Sequence, residues 1–158
     1  MEKMNKKQMS RMPYKQLAVM LGVSFVAMYV LMYAMVDSLP HVYASLNQAY
    51  MAGLMTAPMA LIELVIMRAM YADKRLNSLV VGGALLVLIG CWTLIRQQTA
   101  ITDAQFLRSM IPHHAGAILM CKEAPLTDPA VKELCRGIVT GQQSEIEQMQ
   151  AILSRLGR

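Results

Sequence analysis

Two adjacent histidines, with a methionine one helical turn before them, form the most chemically distinctive stretch of the chain. Met110, His113 and His114 lie in the run FLRSMIPHHAGAILM, residues 106–120. Residues three or four apart share one face of an α-helix, so Met110 can lie beside either histidine. A thioether combined with imidazole suits copper better than magnesium or calcium. The stretch predicts a copper site, and the simpler interpretation is a packed or capping histidine pair without a metal.

Further donors are spaced so that a helical pairing could bring them to the histidines. The candidate copper ligands are Met110, His113, His114, Met120 and Met149. The candidates for orienting those ligands, or for replacing one of them, are Asp103, Gln142, Glu145 and Cys121. Polar groups in an apolar seam need partners, so Gln142 and Glu145 either fix the helix register by bonding the histidines or orient them behind a metal.

The ligand types favour Cu(I) over other ions. Thioethers are soft ligands, and zinc bound by two histidines and Glu145 would leave the sixteen methionines of the chain without a role. Neither histidine has a glutamate three residues before it, so the paired motifs of di-iron bundles are missing. Adjacent histidines point about 100° apart on a regular helix. One ion therefore needs either a kink at Pro112 or a second chain to reach both.

Cys121 and Cys135 flank the expected turn and have two interpretations. They form a disulfide in an oxidising compartment, or Cys121 binds copper on the face of His114. An antiparallel register centred near Leu126 places Cys121 closer to Lys132 than to Cys135. The same register places the histidines opposite residues 139–140.

Start and stop signals define a helical hairpin that carries these residues. Thr102 and Gln105 form a candidate capping box, which predicts a helix from Asp103 to about residue 123. Residues 124–128 form the turn, and Asp128 followed by Pro129 predicts a second helix to about residue 156. One hairpin buries little core alone. We expect it to complete a four-helix bundle with a second copy or to dock on the membrane part.

The rest of the chain has the composition of a membrane protein. Of its 158 residues 56% are hydrophobic and only 16% are charged. Apolar runs predict three membrane-spanning helices at residues 17–36, 50–70 and 79–95. This gives a basic tail (1–16), which is disordered or lies on the membrane, a membrane domain (17–96) and the hairpin (97–158). Because the first run is long and no cleavage site follows it, we interpret it as a retained anchor.

The distribution of basic residues predicts the orientation of the spans. Five of the fifteen lysines and arginines precede residue 17, and Arg68, Lys74 and Arg75 lie between the second and third runs. Lysine and arginine are enriched on the cytoplasmic side, so the amino terminus is predicted inside and the hairpin outside, in a periplasm-like space. The same distribution does not suit a nucleic-acid groove, despite the net charge of +5.

The second predicted span carries a methionine stripe that has two interpretations. Its members recur every four residues and are Met51, Met55, Met59, Glu63 and Met67. Ionisable residues in a span usually face the bundle interior, so Glu63 is expected to mark an interior face that the methionines share. The stripe is then either a packed interface or a path of soft ligands for Cu(I).

The hairpin resembles a bacterial family known as domain of unknown function 305. The resemblance rests on M-I-P-H-H-x-x-A-I-x-M and on Gln142, Glu145, Ile146 and Met149 downstream. It implies a ferritin-like helical fold and copper binding for copper tolerance. The positions that match the family pattern are Asp103, Met110, His113, His114, Met120, Gln142, Glu145 and Met149. The basic tail and the three spans are similar to a membrane-anchored branch of that family.

These observations lead to one expected function and two alternatives. The first is a non-enzymatic protein of a bacterial cytoplasmic membrane that sequesters Cu(I), or hands it on, at the outer face, assembled as a dimer or larger homo-oligomer. The second is a metal-free module that dimerises through its histidines and Glu145. The third is a copper-conducting protein that uses the methionine stripe. An enzyme is not expected, because no nucleophile and base pair is recognisable.

Overall fold

Every regular element in the described part of the chain is helical. The computed structural model describes residues 2–157, with side chains from Met12 onward. The helices are α1 (Glu2–Leu31), α2 (Leu46–Ile66), α3 (Lys74–Gln97), α4 (Asp103–Glu123) and α5 (Pro129–Arg155). Short 3-10 turns cover Met32–Met35 and Leu39–His41. The predicted all-α class is confirmed.

Three of the helical segments are long and apolar enough to cross a membrane. They are Met12–Met35, Leu46–Ile66 and Lys74–Gln97. Large apolar side chains such as Val19, Val65 and Leu86 are exposed along them. Lipid can cover such side chains at no cost, whereas water cannot. The three predicted spans are therefore compatible with the structure, although the second helix ends four residues before the predicted bound.

The amino-terminal tail is helical rather than disordered. Helix α1 begins at Glu2 and continues through Pro13 into the first span without a break. Residues 2–12 consist mostly of Glu, Lys, Gln, Met and Arg, which are good helix formers. Of the two interpretations of residues 1–16, disorder is thus wrong for the described part, and location on the membrane surface stays a prediction.

The first compact unit comprises residues 2–31 and 49–99, and the buried face of α2 within it is made of small residues. These are Ala52, Gly53, Thr56, Ala57 and Ala60. A Cβ atom placed on Gly53 would lie 2.8 Å from the Sγ atom of Cys91 in α3. Small side chains allow helices in lipid to approach closely. Gly53 therefore marks a close contact between α2 and α3.

Replacing Gly53 with alanine is expected to destabilise this unit by roughly 1–3 kcal/mol, because the added methyl group overlaps the Cys91 sulfur. Thermal unfolding of the detergent-solubilised protein, followed by circular dichroism, measures the effect. Gly82→Ala is the matched control, since nothing lies within 4 Å of a Cβ at that position. The Cys91→Ala change should rescue Gly53→Ala. A Gly53→Ala protein as stable as the Gly82→Ala protein would contradict the close contact.

The second compact unit joins the hairpin to the segment between the first two spans, residues 32–48 with 100–157. Its largest fully buried side chains are Ile111, Ile118 and Ile146. Val36 and Tyr43, from the segment between the spans, pack against this core. This unit therefore combines most of the predicted hairpin, residues 97–158, with residues 32–48. A loop of the same chain thus supplies part of the apolar core that the hairpin alone would lack.

Close contacts attach this loop to α4. The main-chain N–H of Leu46 donates to Oε1 of Gln105 over 2.9 Å, and the Asn47 amide donates to Ser109 over 3.3 Å. A Cβ on Gly116 would lie 3.4 Å from the carbonyl oxygen of Met35. The small residues after the histidines thus admit the backbone of the Met32–Met35 turn.

The predicted caps of the hairpin helices are confirmed. Thr102 Oγ1 accepts from the N–H of Gln105, and Asp128 Oδ1 accepts from the N–H groups of Ala130 and Val131. Side-chain acceptors of this kind satisfy N–H groups that the first helical turn leaves unpaired. The Gln105 side chain does not complete a capping box, because it accepts from Leu46 instead.

Candidate metal centre in the helical hairpin

His114 lies on the buried face of α4 and connects the two hairpin helices. It is only 9% exposed. Its Nδ1 atom is 3.0 Å from the carbonyl oxygen of Met110, one turn earlier, and its Nε2 atom is 2.7 Å from Oε2 of Glu145 on α5. The predicted partnership of a histidine with Glu145 is confirmed, and the histidine is His114.

The hydrogen bonds of His114 define the state of its ring. A backbone carbonyl can only accept, so Nδ1 carries a proton and donates to Met110. The other ring nitrogen, Nε2, makes the short contact with Oε2 of Glu145. Metal-binding histidines commonly donate their other ring N–H to a backbone carbonyl, which fixes the tautomer and the ring orientation. Nε2 is therefore the atom that His114 presents to α5.

Met110 and Met149 lie one helical turn from this pair, on opposite helices. Met110 is four residues before His114, and Met149 is four residues after Glu145. Because antiparallel helices run in opposite directions, these two steps lead to the same level of the hairpin. Met149 is buried in the core and Met110 packs against that core. Two thioethers, an imidazole and a carboxylate thus occupy two neighbouring levels between α4 and α5.

The other two predicted ligands lie on a different face of α4. His113 is exposed, and Met120, seven residues later on the same face, is 53% exposed. The rings of His113 and His114 are 6.1 Å apart between centroids. α4 continues as one helix through Pro112, so the adjacent histidines keep separate directions. Within one chain the candidate ligands Met110, His113, His114, Met120 and Met149 thus lie on two faces, and the use of a second chain to bring both histidines to one ion stays a prediction.

The ring nitrogens of His114 have partners other than the predicted Asp103 and Gln142. Asp103 is exposed in the first turn of α4, where a carboxylate suits the positive end of the helix dipole. Gln142 is half-buried, and the recorded partner of His114 on α5 is Glu145. Glu145 follows Gln142 by three residues, so it lies about one turn closer to Met149 along α5.

Cys121 and Cys135 form a disulfide that joins α4 to α5 near the turn, with their Cα atoms 5.3 Å apart. The predicted register, which placed Cys121 nearer Lys132, is wrong by about one turn. The first turn of α5 extends beyond the end of α4, because residues 124–128 form an extended connection instead of a symmetric turn. The disulfide leaves Cys121 no thiolate with which to bind copper, so its role as an alternative ligand is not supported.

The histidine, cysteine, aspartate and glutamate side chains of the described residues do not gather in groups of three or more. Among residues 12–157, no group of three or more His, Cys, Asp or Glu side chains is placed to hold a metal ion. The set that the zinc interpretation requires, two histidines with Glu145, is therefore not brought together among these residues.

The methionine stripe of the second span does not line an interior. Met51, Met55 and Met67 are exposed, and Met59 and Glu63 are half-buried. The interior face of α2 carries the small residues instead, so the expectation that Glu63 and the methionines share it is wrong within one chain. The partner of Glu63 is Tyr71, whose hydroxyl donates to Oε1 over 3.2 Å. Burial, and then this bond to Glu63, raises the pKa of Tyr71 above its ordinary value of 10.0.

The third histidine has local partners that the sequence reasoning missed. His41 Nδ1 lies 2.6 Å from Oδ1 of Asp37 and 2.9 Å from Oγ of Ser38. The spacing of four residues between Asp37 and His41 was the available signal. In a nucleophilic triad the acid and the serine bind opposite ring nitrogens. Here both contact the same nitrogen, so the cluster fastens the loop and does not activate Ser38.

Comparisons with known proteins place the hairpin in a family. The model of a family described as "Domain of unknown function (DUF305)" matches residues 92–153. The uncharacterized protein L153 of Acanthamoeba polyphaga mimivirus is 32% identical to the chain over 138 residues, which is 85% of this chain and 89% of the relative. No solved structure was found to match.

Proposed function

The chain belongs to the DUF305 family, and from that premise we propose that its helical hairpin binds Cu(I) without catalysing a reaction. The protein would sequester the ion, or hand it on, at the outer face of a bacterial cytoplasmic membrane, where it serves copper tolerance. The observation that carries the proposal is the position of His114, whose Nε2 atom faces α5 next to the level of Met110 and Met149.

The chemistry of these donors fits a soft monovalent ion. Cu(I) prefers thioether sulfur and imidazole nitrogen, and Met110, Met149 and His114 supply both. Because His114 is already oriented by the Met110 carbonyl, little ordering is needed before its Nε2 atom can bind. Binding of the ion at Nε2 would displace Glu145 from this nitrogen. Glu145 is 56% exposed at its side chain, so it can turn into water without losing core contacts.

The arrangement of the spans supports a location at one membrane face. Residues 32–48 follow the first span and residues 100–157 follow the third, so a chain that crosses three times has both on the same side. The two segments form one compact unit, which is compatible with that topology. The segment of residues 37–48 contains no lysine or arginine, in contrast to the basic tail. The proposal therefore keeps the amino terminus inside and the hairpin outside.

One observation favours the metal-free alternative. Both ring nitrogens of His114 already have partners, so the His114–Glu145 bond could serve only to fix the register of the hairpin. This bond is made within one chain, and assembly into a homo-oligomer would have to use other contacts. Copper conduction would need the stripe of α2 to line a space between several chains, since Met51, Met55 and Met67 are exposed.

Substituting the inward methionines separates these alternatives. Met110→Leu and Met149→Leu keep the apolar volume of the core, and each should weaken Cu(I) binding roughly 10-fold, by analogy with the 10–100-fold losses at altered metal sites. Titration of the full-length protein against a colorimetric Cu(I) chelator measures the affinity.

The matched control is Met120→Leu, which changes an exposed methionine of the same helix and should leave the affinity unchanged. Unchanged affinity in both Met110→Leu and Met149→Leu would favour the metal-free module. A loss in Met120→Leu that equals theirs would move the site to the outer face of α4.

A further inference from the structure

The disulfide at the turn end of the hairpin borders a cleft. Cys121 and Cys135 both line an open cavity of about 480 Å³, together with Leu126 and Val139. Both cysteines are half-buried, so neither is sealed in the core. A small molecule in this cleft would therefore reach the sulfur atoms directly.

Cations line the same cleft. Lys132 and Arg136 contribute to its wall, and both belong to the same helix as Cys135. Lys132 lies one turn before Cys135, on the same face, and Arg136 follows Cys135 directly. The acid that binds Arg136 is Glu133, which is exposed and is not part of the lining. The lining residues therefore carry positive charge and no carboxylate.

We propose that this cleft binds a small thiol that carries a carboxylate, and that the Cys121–Cys135 disulfide undergoes thiol–disulfide exchange with it. The carboxylate of the thiol would lie against Lys132 and Arg136, which places its sulfur beside the bridge. The volume of the cleft, about 480 Å³, is in the range of pockets that bind small organic molecules, and it exceeds what a single ion needs. The proposal does not depend on copper.

The exchange proceeds in two balanced steps. The thiolate of the small molecule attacks the sulfur of Cys121, which forms a mixed disulfide and breaks the bond to Cys135. Cys135 leaves as a thiolate, a form that the neighbouring cations favour. The thiolate of a second molecule then attacks the small-molecule sulfur of the mixed disulfide, which forms the symmetric disulfide and releases Cys121 as a thiolate; both cysteine thiolates take up a proton. The bridge thereby gains two electrons and two protons, and two molecules of thiol lose them.

The experiment compares thiols of different charge on the full-length, copper-free protein in a non-ionic detergent. The probes are 3-mercaptopropionate, which is anionic, and cysteamine, which is cationic. Alkylation followed by mass spectrometry counts the two new thiols beyond Cys91 and gives the rate of reduction. For each thiol, the rate of reduction of the unsubstituted protein is divided by the rate of reduction of the Lys132→Gln/Arg136→Gln variant. The intrinsic reactivity of the thiol cancels in this ratio.

At low salt the ratio should be about 5–10-fold larger for 3-mercaptopropionate than for cysteamine, and the difference should shrink in high salt. Lys122→Gln/Arg155→Gln is the matched control, since it removes the same charge from positions outside the cleft and should give ratios near one. Equal ratios for the two thiols would overturn the proposal. Complete resistance of the bridge to both thiols in the folded protein would overturn it as well.

Discussion

Replacing His114 with alanine is expected to lower the affinity for Cu(I) by at least about 100-fold, because loss of even an orienting partner costs metal sites roughly 10–100-fold. His114 would contribute the nitrogen ligand, held in place by the carbonyl of Met110. The same change removes the partner of Glu145, which is largely exposed and can be solvated. Competition with a Cu(I) chelator gives the affinity, and circular dichroism checks that the helices are retained.

The neighbouring histidine is the matched control for this change. His113 belongs to the same helix and has the same chemistry, but it is exposed. His113→Ala should therefore keep the affinity within about twofold, since changes at exposed positions usually have small effects. If the two variants lost affinity equally, the ion would require both histidines, and the site would have to include a second chain.

The second large effect is expected in the core of the hairpin. Ile146→Ala should lower the free energy of opening of α4 and α5 by about 2–5 kcal/mol, because it removes a fully buried side chain and leaves a cavity. Hydrogen exchange of peptides from the two helices, measured by mass spectrometry in the full-length protein, reports this local free energy.

Ile152 offers the control on the same helix. It is 38% exposed, so Ile152→Ala should cost less than about 1 kcal/mol. Equal loss of protection in the two variants would contradict the assigned inner face of α5. If Ile146→Ala reduced the protection of α5 alone, α5 would pack against α4 less tightly than their shared core implies.

The helix boundaries of the hairpin could be predicted because they depend on local chemistry. Thr102 and Asp128 offer acceptors to the first turns of α4 and α5, and Pro129 fits the first helical position without losing a bond. The spans could be predicted for a similar reason, since apolar length is a property of one segment.

The face of α4 that packs in the core could also be predicted in part. Leu107, Ile111 and Ile118 are spaced from His114 by seven, three and four residues, which places His114 and not His113 on the apolar face. That signal distinguishes the two histidines.

The register of the hairpin was not predictable from the length of the turn. Residues 124–128 are too few to show whether the connection is symmetric, and its extended path shifts α5 by about one turn along α4. This shift brings Cys135 to Cys121 and Glu145 to His114. Packing of residues 32–48 on α4 was equally hidden, because it joins segments that are more than fifty residues apart in the chain.

X-ray absorption spectroscopy of the Cu(I)-loaded, full-length protein tests the central claim most directly, because it distinguishes sulfur from nitrogen ligands. The arrangement of α4 and α5 predicts sulfur scattering from Met110 and Met149 together with imidazole nitrogen from His114. It also predicts that the sulfur contribution decreases in Met149→Leu and is unchanged in Met120→Leu. A copper ion bound only by nitrogen and oxygen, or a protein that retains no copper, would contradict the claim.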